Sequence, residues 1–186
     1  MRRLFFILMF VTLASALKAQ ETKLKNAWEL EIDPIAYLLN GYSAHGIYQV
    51  NHLRYDLGVF GIEQPESYHG NKGYSLMSRG LGAKATYLIK GIPGFYTGLG
   101  AGLAFHDAQN TTTLEKADGT SASLGIILGY RLFFKNVKSP DLKGFYITPW
   151  ASFDYNWHFR KIDFANYDFK QKAFSIFPTI HLGYRF

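Results

Sequence analysis

The chain has 186 residues, of which 48% are hydrophobic, 17% aromatic and 18% charged, with a formal net charge of +6 and no cysteine. The length fits a single domain, and the composition excludes a disordered tail, a collagen-like repeat, a disulfide-stapled miniprotein and any Cys-based zinc or iron–sulfur site. Its 13 Tyr and 16 Phe nevertheless sit beside a mean hydropathy of only −0.07, a pairing that needs an explanation.

Residues 1–19 supply part of it. Arg2 and Arg3 precede an apolar run from position 4 to 13 broken only by Thr12, and small residues follow at Ala14, Ser15, Ala16 and Ala19. This layout predicts a cleaved secretory signal peptide, cut after Ala19 or alternatively after Ala16, leaving 20–186 as the mature domain. The competing reading is a membrane anchor, but the apolar core is shorter than the roughly 20 residues a spanning helix needs. Cleavage removes Arg2, Arg3 and Lys18 from the 20 basic residues and nothing from the 14 acidic ones, leaving 17 against 14. No basic stripe interleaved with aromatics remains, so no nucleic-acid partner is expected.

Period-two alternation then recurs over 28–39, 42–50, 53–60, 80–89, 95–106, 121–134, 145–160 and 171–186. Successive side chains of a strand point to opposite faces, so each stretch reads as a two-faced strand. In the first, Trp28, Leu30, Ile32, Pro34, Ala36 and Leu38 oppose Glu29, Glu31, Asp33, Ile35, Tyr37 and Leu39. In the last, Phe174, Ile176, Pro178, Ile180, Leu182, Tyr184 and Phe186 oppose Ser175, Phe177, Thr179, His181, Gly183 and Arg185. The links alternate in length. A tight hairpin at Asn40-Gly41 and short links at 50–52 and 90–94 contrast with longer polar ones at 62–75, 107–119 and 160–170, and 135–143 is of middling length. Short turns at one end and longer loops at the other predict an all-β fold, an eight-stranded antiparallel up-and-down transmembrane β-barrel.

A soluble lipocalin-like barrel would alternate too, with its apolar face turned inward. Glycines such as Gly80, Gly98, Gly102, Gly125 and Gly183 crowd the polar face, as a narrow interior requires. Aromatics gather near both strand ends of the apolar face, at Phe145, Tyr155, Trp157 and Phe159 and at Phe174, Tyr184 and Phe186, as membrane-interface girdles do. The membrane form is therefore the expectation.

The ending Ile180-His181-Leu182-Gly183-Tyr184-Arg185-Phe186 resembles the C-terminal signature of outer-membrane barrels, carried by Ile180, Leu182, Tyr184 and Phe186. Over the whole mature chain the architecture is most similar to the small eight-stranded outer-membrane β-barrel proteins. The Ala-Gln cleavage context and the Phe-Pro-Thr-Ile-His-Leu-Gly-Tyr-Arg-Phe ending further resemble those of Bacteroidota. The resemblance implies a Gram-negative outer-membrane location, with lipids as surroundings and the barrel-assembly machinery as a partner in biogenesis. It implies no particular activity.

The inward face carries Glu29, Glu31, Asp33, Asp56 and Asp154 against Arg54, Lys84, Arg131, Arg160 and Arg185, together with His181. Charges in a narrow interior must pair, and closure should bring Glu29 or Glu31 beside His181 or Arg185. A salt-bridged plug is expected; a gated polar conduit is the alternative. Pro34, Pro149 and Pro178 fall on the outward parity of the first and last two strands, where they mark bulges or a lateral seam open to a lipid-like molecule. Tyr68, His69, Lys72, Tyr74, Phe164, Tyr167 and Phe169 should extend the outer aromatic girdle or meet a partner.

Lipid-modifying enzymes occur among such barrels, but neither His158 nor His181 is followed by Ser two residues on, and Asp154 and His158 are about 13 Å apart along a strand. The six histidines have no metal-binding spacing. The expectation is a non-enzymatic monomer without cofactor or metal, with a structural, surface-interaction or envelope-integrity role. The alternatives are a narrow channel or lateral-access carrier for small or hydrophobic solutes, then a soluble ligand-binding barrel or a lipid-modifying enzyme.

Overall fold

The computed structural model describes residues 25–134, 142–165 and 169–186. The expected signal peptide at 1–19 and Tyr167 lie outside the described residues. The elements in chain order are β1 (Ala27–Ile32), α1 (Pro34–Leu38), β2 (Tyr42–Val50), β3 (Leu53–Gln64), α2 (Glu66–His69), β4 (Tyr74–Leu88), β5 (Phe95–Asn110), β6 (Lys116–Tyr130), β7 (Leu132–Phe133), β8 (Gly144–Arg160) and β9 (Phe174–Arg185). They form one nine-stranded antiparallel sheet, in which β1 pairs with both β2 and β9 and β6 pairs with β8, so the strands ring round. No helix among the described residues is long and apolar enough to cross a membrane.

The ninth strand arises from a break, not from an extra hairpin. The pairs Gly129↔Trp150 and Leu132↔Ile147 share one register, which sets Pro149 opposite Tyr130, the last residue of β6. Proline has no N–H to offer the facing strand, so the ladder lapses there. It resumes for the two residues of β7.

Pro34 is not on a strand at all. β1 stops at Ile32, and Asp33 caps a short helix by accepting the Ile35 N–H at 2.8 Å. Proline follows at the first helical position, where its missing donor costs nothing. The alternation expected over 28–39 therefore holds only as far as Asp33. Position 40–41 is not a two-residue hairpin but the exit of this helix: Asn40 is left-handed (φ 53°), and Gly41 lies against the Gly61 backbone where no Cβ fits. The link expected over 107–119 shrinks to 111–115, because β5 and β6 pair as far as Gln109↔Lys116.

Elsewhere the two faces separate as the alternation requires. Trp28, Leu57, Leu81, Leu99, Ile126 and Ile176 are exposed on the outside of the ring, whereas Glu29, Gln49, Arg54, Thr148, His181 and Arg185 are buried inside it. Of the C-terminal residues Ile180, Leu182 and Phe186 are exposed, and Tyr184 packs edge-on against both Phe145 and Phe186. Inside, two tyrosines lie across glycines of the next strand. Tyr146 faces Gly183 and Tyr96 faces Gly129 in register, and a Cβ on either glycine would run into the tyrosine ring. We expect Gly183→Val to overpack this contact and cost about 1–3 kcal/mol. A lowered urea midpoint relative to Gly46→Val, where a Cβ meets nothing within 4 Å, checks it.

Candidate functional site

The interior divides into two parts. At the end of the ring where β1 begins and β9 ends, Glu29 is fully enclosed by three guanidinium groups. Arg54 Nη2 donates to Glu29 Oε2 at 2.8 Å, Arg131 Nη1 to Oε1 at 2.5 Å and Arg185 Nη1 to Oε1 at 2.8 Å. Arg54 also donates to Glu31 at 2.7 Å, and His181 Nδ1 lies 2.9 Å from the other Glu31 oxygen. The Tyr146 hydroxyl stands 2.9 Å from Glu29 and 2.8 Å from Glu31 and gives its single proton to one or the other. Gln49 Oε1 accepts from both Arg131 and Arg185, at 3.0 and 2.5 Å. A step further in, Asp56 is held between Lys84 at 2.8 Å and His45 at 2.9 Å, and the Lys84 ammonium sits 4.4 Å from the centre of the Trp150 ring.

With the histidines neutral, Glu29, Glu31, Asp33 and Asp56 balance Arg54, Lys84, Arg131 and Arg185 one for one. That balance is what permits burial, since an unpaired charge there would carry its whole desolvation cost. The closure pairs Glu31–His181 and Glu29–Arg185 are both made. Three expected members behave differently. Asp33 serves as the α1 cap and accepts from Thr179 Oγ1 at 2.6 Å. Asp154 accepts from Ser152 at 2.5 Å rather than from a cation. Arg160 leaves the interior for an exposed pair with Asp118 at 2.6 Å. The members that the charge pattern missed are neutral: Gln49, Tyr96, Tyr146, Thr148 and Thr179. The signal for the tyrosines was their inward parity combined with a glycine on the neighbouring strand.

Beyond this network lies a chamber of about 440 Å³, within the range of ligand pockets. Its walls include Phe60, Ile62, Leu76, Trp150 and Phe177, apolar residues on the otherwise polar face, together with His45, His106, His158 and His181. His106 is held between two hydroxyls, Ser78 Oγ and Ser121 Oγ, each at 2.8 Å, so both ring nitrogens are occupied. Among the described residues no group of three or more His, Asp or Glu is arranged to hold a metal.

The chamber is roofed by its loops. Ile162, Phe164 and Phe169 pack with Tyr74, Leu76 and Ala108 in one buried cluster, so Tyr74, Phe164 and Phe169 turn inward instead of extending an outer girdle. Asn71 and Lys170 exchange hydrogen bonds at 3.0 and 2.8 Å, and Lys172 Nζ donates to the Tyr68 carbonyl at 2.5 Å. In α2, His69 stacks on Phe169 and its Nδ1 accepts the Asn71 N–H at 3.1 Å, which places the ring proton on Nε2.

Four buried side-chain polar atoms among the described residues have no hydrogen-bond partner: Ser43 Oγ, His69 Nε2, Trp150 Nε1 and Arg131 Nε. The first three belong to residues that line the chamber.

No family model matches the chain, and no curated protein matches it significantly.

Two outcomes follow from this geometry. Glu29→Gln leaves three guanidinium groups around an uncharged amide and is expected to cost about 3–5 kcal/mol. Chemical denaturation checks it, with the exposed-pair variant Arg160→Gln changing little. Burial pushes the His69 imidazole below its ordinary value, Glu66 pulling it up and Lys172 pushing it further down. A folded pKa below the unfolded one means that the unfolded chain binds the extra proton, so stability of the roof is present above about pH 6.5 and is lost as the pH falls from there. Amide exchange at Asn71 should quicken across that window, and His69→Gln should flatten the dependence.

Proposed function

We propose that the chain is an integral outer-membrane β-barrel of eight strands, the two-residue β7 continuing β6, closed along its axis and holding a guest in its outer half. One observation carries the reading: the polarity of the ring is inverted. A protein folded in water buries its apolar face and solvates its charges, whereas here large apolar side chains face outward all round and the charges are enclosed. That distribution suits hydrocarbon outside and a small polar interior. Closure of the sheet through the β1–β9 and β6–β8 pairings also suits it, because lipid supplies no hydrogen bonds to an open sheet edge. The start of β1, the end of β9 and the two-residue turn at 51–52 then face the periplasm, and the loop at 65–73 and the described residues 161–165 and 169–173 face the exterior, following the usual asymmetry of turn lengths.

The charge network favours binding over conduction. Glu29, Tyr146, Gln49 and His181 are all at most 1% exposed, which leaves no open path along the axis through that part of the ring. A structural or envelope role with an internal ligand therefore ranks ahead of a pore, and a soluble carrier would have to cover an apolar exterior with nothing.

The purified protein is expected to partition with outer-membrane fractions, to migrate heat-modifiably on a gel, and to give no steady current in planar bilayers. Recovery from the aqueous fraction would overturn the membrane reading. A stable conductance in a membrane-inserted sample would overturn the closed axis alone.

A further inference from the structure

Besides the short lapse at Pro149, the wall of the ring is interrupted between β1 and β9. The Phe186 N–H donates to the Trp28 carbonyl at 3.1 Å. Backbone N–H groups alternate sides along a strand, so those of positions 184, 182, 180 and 178 all face the β1 side. β1 pairs with β9 only as far as Ile32↔Leu182. Past that point α1 stands where a strand would be, and position 178 is a proline with no donor to leave stranded. Pro178 is thus an edge-strand proline in a sheet that otherwise rings round.

The backbone hydrogen bonds of α1 and of the residues just after it run to one side, although the helix packs against β9 as well as against β2 and β3. The Gly41 N–H donates to the Ala36 carbonyl at 2.8 Å, the Tyr37 hydroxyl to the Ser43 carbonyl at 2.9 Å, the Glu63 N–H to the Leu39 carbonyl at 3.0 Å and Asn40 Nδ2 to Glu63 Oε2 at 2.8 Å, all toward β2 and β3. Toward β9 the side-chain bond from Thr179 to Asp33 is present, and no backbone hydrogen bond joins α1 to β9 among the described residues. Directly behind this helix is the chamber, which Ile35, Ala36, Leu39 and Pro178 help to line. Tyr37 and Leu38 are exposed on its outer side, Leu38 at 81%.

The chamber itself specifies the guest. Its apolar walls suit a hydrocarbon chain. Its lining also carries hydrogen-bond donors, among them Ser123, Lys170 and Lys172. Donors call for oxygen acceptors, as in a carboxylate, ester or phosphate head. We propose that α1 is a side panel hinged on β2 and β3, and that the acyl chain of an oxygen-headed lipid enters the chamber from the membrane between α1 and β9. This rests on the membrane reading above.

The three tryptophans allow a test that separates the two. Trp28 and Trp157 are exposed on the outer face, while Trp150 lines the chamber. Single-tryptophan variants retaining each in turn are reconstituted in dibromo-phosphatidylcholine vesicles, or in unbrominated vesicles given dibromostearate. Quenching of Trp28 and Trp157 reports membrane insertion; its absence sinks the membrane reading itself. With those quenched, Trp150 should also be quenched several-fold, by the fatty acid, the phospholipid chain or both, and the two arms tell which source is taken. If neither brominated chain reaches Trp150 while the outer tryptophans are quenched, the inference is overturned. The route is read from rates in the Trp150-only protein. Thr179→Val, which cuts the Asp33 tether, should hasten quenching several-fold. An Ala36→Cys, Pro178→Cys pair, oxidised in a chain that has no cysteine of its own, should slow it by a similar factor. An unchanged rate in Thr179→Val, or an undiminished one in the oxidised pair, would overturn lateral entry.

Discussion

The neutralisation of Glu29 is the constraint on which the rest of the interior depends. Its carboxylate is enclosed by Arg54, Arg131 and Arg185, and its side chain has no exposed surface. In such a site a charge survives only with its partners in place and their remaining hydrogen-bonding capacity spent. Gln49, Tyr146 and the Lys25 carbonyl take up guanidinium protons that the two glutamates leave over. The tyrosines need room, which Gly183 and Gly129 provide by lacking a Cβ. Strand order, glycine placement and aromatic placement at this end are thus consequences of one buried anion.

The network also explains why the two halves of the ring differ. Charge is balanced at the end near the termini, and beyond Asp56 and Lys84 the inward face changes to aromatic, aliphatic, histidine and serine side chains. Buried atoms without a partner occur in both halves, at Arg131 Nε in the network and at Ser43, His69 and Trp150 beside the chamber. A charge-balanced base beneath a chamber walled by aromatic and aliphatic side chains is an arrangement suited to holding a guest against a floor. At the other end Ile162, Phe164 and Phe169 pack with Tyr74, Leu76 and Ala108 beside the chamber.

Much of this was legible in the sequence. Period-two alternation identified most of the inward charges and the outward aromatics, and ring closure placed Glu29 or Glu31 beside His181 or Arg185, without saying which pairs with which. What failed did so for physical reasons. Positions 33–39 continue the alternation in sequence, but Asp33-Pro34 is also a helix start, and the cap decided the conformation. Arg160 has inward parity, yet it lies at the strand end beside a register shift between Thr120 and Ser121, where water and Asp118 are available. Phe60, Trp150 and Phe177 read as noise on a polar face because a chamber becomes visible only when several strands are placed side by side. The loop aromatics could not be assigned to roof or girdle without the Asn71–Lys170 contact, which joins residues 99 positions apart.

The residues that neutralise Glu29 come from β3, from the break between β6 and β7, and from the penultimate position of the chain. The bond from Arg185 to Glu29 spans 156 residues. Contacts of such separation form late, because the loop between their ends must close before they contribute. Until β9 docks, Glu29 lacks a third of its cationic shell and Arg185 has no acceptor. The network therefore acts as a completeness check on assembly: a chain that stops short of Arg185, or whose last strand fails to find the first, keeps an uncompensated charge at its centre.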